Sequence, residues 1–163
     1  MTELAVFQSA DLAHALDVAV RLILAAALGA ILGYERERGN KTAGLRTHML
    51  VSLGSAVFVM ASLEAGAAPG DLTRVIQGIA TGIGFVGAGA ILKTTEQGQV
   101  QVKGLTTAST VWLTAGAGLA VGAGRLWLPL FATILGLVIL VGLHRYEDLM
   151  HRHDHETAPP PQH

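Results

Sequence analysis

No cysteine occurs in the 163 residues, which excludes disulfides, thiolate metal sites, haem attachment through cysteine and a cysteine nucleophile. Charge is also scarce, at 14% Asp, Glu, Lys and Arg against about 25% in an ordinary soluble domain. The net charge of −1 leaves no basic patch, so nucleic acid is not an expected partner. The opening MTELAVFQSADLAHALD carries acids and neither lysine nor arginine. It lacks the positive start of a secretory signal peptide, and the first hydrophobic helix is expected to remain in the mature protein. The HEXXH and GxSxG patterns are missing, and Ser52, Ser55 and Ser109 have no intramembrane histidine partner evident from sequence. No catalytic constellation and no cofactor are therefore expected.

Hydrophobic residues, by contrast, make up 51% of the chain. One stretch stands out, RVIQGIATGIGFVGAGAILK, from Arg74 to Lys93. Between its two terminal charges it has Gln77 as its most polar residue, with glycine at 78, 82, 84, 87 and 89. In water each of those glycines would cost a helix roughly 1 kcal/mol against alanine. In lipid the backbone must satisfy its own hydrogen bonds, and small residues let helices approach closely. The stretch is expected to be a buried transmembrane helix, Val75 to Leu92, around which the others pack. GIGFVG at 82 to 87 matches GxGxxG, but a dinucleotide site needs a preceding strand and a later acidic ribose ligand. A phosphate loop fails too, because Leu92 stands where the glycine before the lysine is required.

Hydropathy gives four more spans near the ~20 residues a crossing needs: Val18 to Tyr34, His48 to Ala68, Thr106 to Gly122 and Leu126 to Leu143. The expected fold is an all-α polytopic bundle of about five transmembrane helices over residues 1–143. Residues 144–163 form a His-rich cytoplasmic tail, expected to be partly disordered. Arg36, Arg38, Lys41, Arg46, Lys93, Lys103, Arg145 and Arg152 fall on one side, and Arg21, Arg74 and Arg125 on the other. Because cytoplasmic loops retain positive charge, the N-terminus is expected outside and the C-terminus inside.

Glycines four apart recur as Gly29 and Gly33, Gly78 and Gly82, and Gly118 and Gly122. They suit close helix crossing, with packing inside the bundle as the default and a dedicated dimer face of a homo-oligomer as the alternative. Thr106, Thr110 and Thr114 line one helix face, where hydroxyls can bond a carbonyl one turn back or a neighbouring helix. Near the outer ends lie Arg21, Arg74, Glu64 and Asp71, each costly in apolar surroundings. Arg21 or Arg74 is expected within salt-bridge reach of Glu64 or Asp71. If the last helix continues into the tail, His144, Asp148, His151 and His155 share a face suited to zinc or nickel; a solvated, fraying end is the plainer expectation.

The most polar connection is YERERGNKTAGLRTHML, Tyr34 to Leu50, with four cations and two acids. Its arginines can anchor helix ends to anionic lipid and pair with Glu35 and Glu37, or it can present a recognition surface to a protein or a phosphate group. Together with the Arg74 to Lys93 stretch and VKGLTTASTVWLTAGAGLAVGAG, it resembles the membrane domain of the MgtC/SapB family from Arg21 to roughly Leu143. The resemblance carries the family motif onto Glu35, Arg36, Ala43, Gly44, Leu45, Arg46 and Thr47, then Gly82, Gly84, Gly87, Gly89 and Gly104 to Thr107. It implies a multi-pass protein of the bacterial inner membrane, linked with low magnesium and survival in host cells. One family member is implicated in restraining the ATP synthase. MgtC-like members commonly continue into a soluble C-terminal domain, which this chain is expected to lack.

Two functions follow as expectations. One is a non-catalytic regulator that touches another membrane complex. The other is a transporter or channel for magnesium or another solute. The middles of the five spans hold no Asp or Glu, whereas magnesium prefers carboxylates and waters, which weighs against conduction.

Overall fold

The computed structural model describes the backbone of residues 2–96 and 99–156, and side chains over 11–93 and 101–142. The order is α1 (Thr2–Arg38), α2 (Leu45–Glu64), α3 (Pro69–Gly89), a hairpin of β1 (Leu92–Glu96) and β2 (Gln99–Lys103), α4 (Leu105–Gly122) and α5 (Trp127–Glu156). The all-helical expectation and its five segments match this order.

Helix ends follow local chemistry. At the end of α1, Arg36 and Arg38 sit where the dipole favours cations, and Asn40 turns the chain at φ 49°. Past α2, Gly66 adopts φ 78°, and its N–H bonds the Leu63 carbonyl at 3.0 Å. Pro69 opens α3, where its missing N–H costs nothing, and Asp71 complements the dipole in the first turn.

Glycine fixes the packing. A Cβ on Gly29 would lie 2.5 Å from the His48 carbonyl oxygen, and one on Gly33 would lie 2.8 Å from the Leu45 Cα. From the other side, a Cβ on Gly118 would overlap the Ser52 carbonyl, and one on Gly122 would lie 2.7 Å from that of Ala56. Backbone therefore rests on backbone along both flanks of α2. Steps of four match steps of four, so α4 runs parallel to α2 and α1 antiparallel. Ala25, Ala56 and Val121 close the core, with Leu22 and Leu28 against it.

This arrangement corrects the expectation that the Arg74 to Lys93 stretch is the central helix. That place belongs to α4, which packs on the other four helices and buries Thr107, Thr110, Val111, Thr114, Ala115, Ala117, Gly118, Val121 and Gly122, with α2 beside it burying His48, Ser52, Ser55, Ala56, Val59 and Met60. In α3 only Gly87 is buried, and a Cβ there would lie 3.6 Å from Ala108. Helix α3 also ends at Gly89 rather than Leu92, because Leu92 and Lys93 enter the hairpin. Its register pairs Leu92 with Lys103 and Lys93 with Val102. Gly104 then turns at φ 99° into α4; a Cβ there would overlap the Ala90 carbonyl, so a side chain is excluded on both counts.

Many large apolar side chains lie outside, and several polar ones are buried beside Leu32, Val59, Val111 and Val121. Ile23, Leu50, Phe85, Trp127 and Leu135 are all more than half exposed, whereas Arg36, His48, Ser52, Thr107, Thr110, Thr114 and Thr133 are buried. Thr110 donates to the Thr106 carbonyl at 2.7 Å and Thr114 to that of Thr110 at 2.8 Å. Asp11–Arg38 and Leu45–Glu64 are long and apolar enough, by length and composition, to cross a membrane; the part of α5 whose side chains are described, Trp127–Gly142, is also apolar.

Candidate functional site at the corner between the first two helices

Between α1 and α2 the chain reverses in six residues, and the motif side chains build the corner. The Glu37 carboxylate accepts a hydrogen bond from the Leu45 N–H at 2.7 Å. Helix α2 has Gly44 at its N-cap and no cap from that residue's own side chain, so Glu37 supplies from α1 the acceptor and negative charge that a helix start favours. A Cβ on Gly44 would lie 2.8 Å from the Glu37 carboxylate and would push that flexible side chain aside. Ala43 is buried beside it.

One residue earlier, Arg36 is 4% exposed and its Nε bonds the neighbouring Glu35 carboxylate. A buried guanidinium without a partner would be costly, so this pair keeps the charge tolerable at the corner. His48 is fully buried one turn into α2. Its Nδ1 lies 2.8 Å from the Gly44 carbonyl oxygen, which can only accept, so Nδ1 carries the proton and Nε2 is a bare acceptor. Nε2 finds no partner among the described residues, nor does the Oγ of Ser52 one turn on. Arg38, Lys41 and Arg46 remain exposed, with the Arg38 guanidinium 5.8 Å from the centre of the Tyr34 ring. The corner thus combines an internally bonded polar base with an outward cationic surface.

Of the residues expected from sequence, Glu35, Arg36, Gly44, Leu45, Arg46 and Thr47 come together here. Glu37, expected only as a partner for the loop arginines, caps α2 instead, and His48 carries no site expectation from sequence. A histidine inside a span, directly after GLRT, is itself the signal, because a titratable ring is costly there without a role.

At the far end of the bundle, Arg74 reaches Asp71 at 3.6 Å, one of the pairings expected. Arg21 and Glu64 choose other partners. The Arg21 Nε pairs with Asp17 at 2.9 Å while its terminal nitrogen donates to the Gly122 carbonyl at 3.4 Å, tying α1 to the end of α4. Glu64 meets His14 at 3.3 Å. Sequence reasoning overlooked both partners because each lies on the first helix, before its hydrophobic span begins.

Of the packing glycines, Gly29, Gly33, Gly118 and Gly122 sit in helix contacts, and Gly87 touches α4. Gly78, Gly82, Gly84 and Gly89 have nothing within 4 Å of a Cβ direction among the described residues. The side chains of His144, Asp148, His151 and His155 lie outside the described residues. Among those described, no three metal-ligating side chains gather.

Fold and corner together define a glycine-packed helical bundle with many apolar side chains outside, several polar ones buried within it and a cationic turn at one end. The chain belongs to the MgtC family, whose sequence pattern matches residues 22–149. It is 44% identical over 141 residues to Protein SrpB of Synechococcus elongatus, covering 81% of this chain and 78% of SrpB. It is 37% identical over 133 residues to the putative magnesium transporter YhiD of Escherichia coli K12, covering 77% of this chain and 60% of YhiD. Protein MgtC of Salmonella typhimurium is 41% identical over 116 residues, covering 71% of this chain and 48% of MgtC. No solved structure matches.

Proposed function

We propose that this chain is a multi-pass bacterial inner-membrane protein that regulates another membrane complex by contact and carries out no catalysis of its own. Lipid as the solvent accounts for a bundle that hides Arg36, His48 and four threonines while exposing Phe85 and Trp127. The uneven distribution of lysine and arginine supports an outer N-terminus and an inner C-terminus, with the corner facing the cytoplasm. The observation that carries the regulatory reading is the division of labour at that corner. Glu35, Arg36 and Glu37 are engaged within it, which leaves Arg38, Lys41 and Arg46 as a cationic face on a braced base. Such a face suits an acidic surface on a membrane complex, and by family resemblance the ATP synthase is the first partner to test. Adaptation to low magnesium is the setting that the family suggests.

A second reading, transport of magnesium or another solute, has its own support. YhiD is described as a putative magnesium transporter, and the unpartnered His48 Nε2 and Ser52 Oγ offer buried polar atoms to a solute. Against it, Ala25, Ala56 and Val121 close the bundle beyond Ser52 with apolar groups. Two measurements separate the readings. Purified protein in liposomes is expected to pass no magnesium down a gradient, and a photo-crosslinker at Lys41 or Arg46 in native membranes is expected to capture an ATP synthase subunit. Magnesium flux that needs Ser52 or His48 would overturn regulation in favour of transport.

A further inference from the structure

The three four-residue glycine pairs are not used alike. Gly29 with Gly33 and Gly118 with Gly122 each seat a neighbouring helix backbone, whereas Gly78 and Gly82 have open space above them. They form, with Gly54 of α2, the floor of a groove of about 470 Å³ between α2 and α3, walled by Phe58, Val75 and Val86. At helical spacing the glycine face continues in both directions. Asp71, Arg74, Gly78, Gly82, Phe85 and Gly89 recur at steps of three and four along one side of α3. That side is turned away from the Gly87 contact with α4, and it carries Phe85 at 85% exposure and Arg74 with its side chain 82% exposed.

We propose that this side of α3 is the interface between two copies of the chain. Two α3 helices cross at Gly78 and Gly82, each leaning into the other's α2–α3 groove, and the exposed Asp71–Arg74 pair that each chain makes within itself at 3.6 Å is exchanged, so that Asp71 of each meets the partner's Arg74. Charge complementarity selects a second copy as the occupant. A two-fold contact must be self-complementary, with residue i meeting j and j meeting i. This face carries an acid and a base one turn apart at its outer end, beside a pair of glycines that permits backbone contact. Phe85 supplies the bulk that such a crossing buries below the glycines. The proposal rests on the membrane-embedded reading, since only copies inserted in the same sense bring the two outer ends together.

The absence of cysteine makes the test direct. The full chain is reconstituted in phospholipid vesicles, flotation is checked, and single cysteines are oxidised along α3. Arg74→Cys, Gly78→Cys, Gly82→Cys and Phe85→Cys are expected to give disulfide-linked dimers. Ile76→Cys and Ala80→Cys, on the opposite side, are expected to give none. In the Phe85→Cys background, Gly82→Leu should lower crosslinking at least ten-fold while helical circular dichroism is retained. Asp71→Arg should also lower it, and adding Arg74→Asp should restore it. If lipid chains or another membrane subunit fill the groove, the pure protein gives no crosslinks at any position, which overturns the proposal. Crosslinks without this helical period, or a charge swap that restores nothing, overturn it as well. A chain that fails to float with the vesicles overturns the membrane reading itself, so the two failures are distinguishable.

Discussion

Glycine means different things at different positions of this chain, and substitutions should sort accordingly. At Gly118 a methyl group would collide with the Ser52 carbonyl, and at Gly29 it would press on that of His48. Gly118→Ala and Gly29→Ala are each expected to destabilise by about 1–3 kcal/mol, as overpacking does. At Gly84 nothing lies within 4 Å of the Cβ direction, so Gly84→Ala should be neutral or stabilise by up to about 1 kcal/mol through helix propensity. Unfolding midpoints in detergent micelles would check the contrast, and equal effects at 84 and 118 would contradict the packing. Spacing alone could not rank these glycines, because a pair four apart says that a close approach is possible and not whether a neighbour is present. Ser52 and Ser55 form a similar pair of cases. The Ser55 hydroxyl donates to the Val51 carbonyl at 2.8 Å, whereas that of Ser52 is buried without a partner among the described residues. Ser52→Ala is expected to leave stability unchanged or raise it, and Ser55→Ala to lower it by about 1 kcal/mol.

Among the elements, the corner between α1 and α2 depends on one carboxylate. Glu37→Gln keeps the shape and an acceptor oxygen but removes the charge from the start of α2, and should cost about 0.3–1 kcal/mol. The same substitution should raise protease cleavage between residues 39 and 44, and resistance equal to that of the unaltered chain would refute the capping role. The helices themselves were largely legible, because long apolar runs bounded by charge and glycine leave little choice of structure. The end of α3 was not. Hydropathy carried it to Leu92, although QVQVK at Gln99 to Lys103 alternates polar and β-branched residues with the period of two that marks a strand. That short alternating signal, read together with Gly98 before it, was the available clue to a hairpin. Richness in glycine does not by itself mark burial, and on α3 most of it faces open space.

For the whole molecule, alternating sidedness is the measurable quantity. Cysteines placed singly at Lys41, Ala67 and Lys93 are expected to react with a membrane-impermeant maleimide from the inside, the outside and the inside of oriented vesicles, respectively. Labelling of all three from one side would refute the five-crossing arrangement. Arg21 acts as a cross-tie at the end of the bundle away from the corner, since it holds the Gly122 carbonyl while pairing with Asp17. Replacing it by methionine should loosen α1 from α4 there and leave the corner intact, as hydrogen exchange at the two ends would reveal.

The double-sided seating of α2 also bears on how the chain comes to be assembled. A ribosome delivers α1 and α2 first, so the antiparallel pair can form at once, but the flank that receives Gly118 and Gly122 must wait until α4 has been made. Until then Ser52 and Ala56 offer bare main chain to whatever drifts past. Nascent chains truncated before residue 105 are therefore expected to be cleaved by protease along this flank more readily than chains that carry the fourth helix.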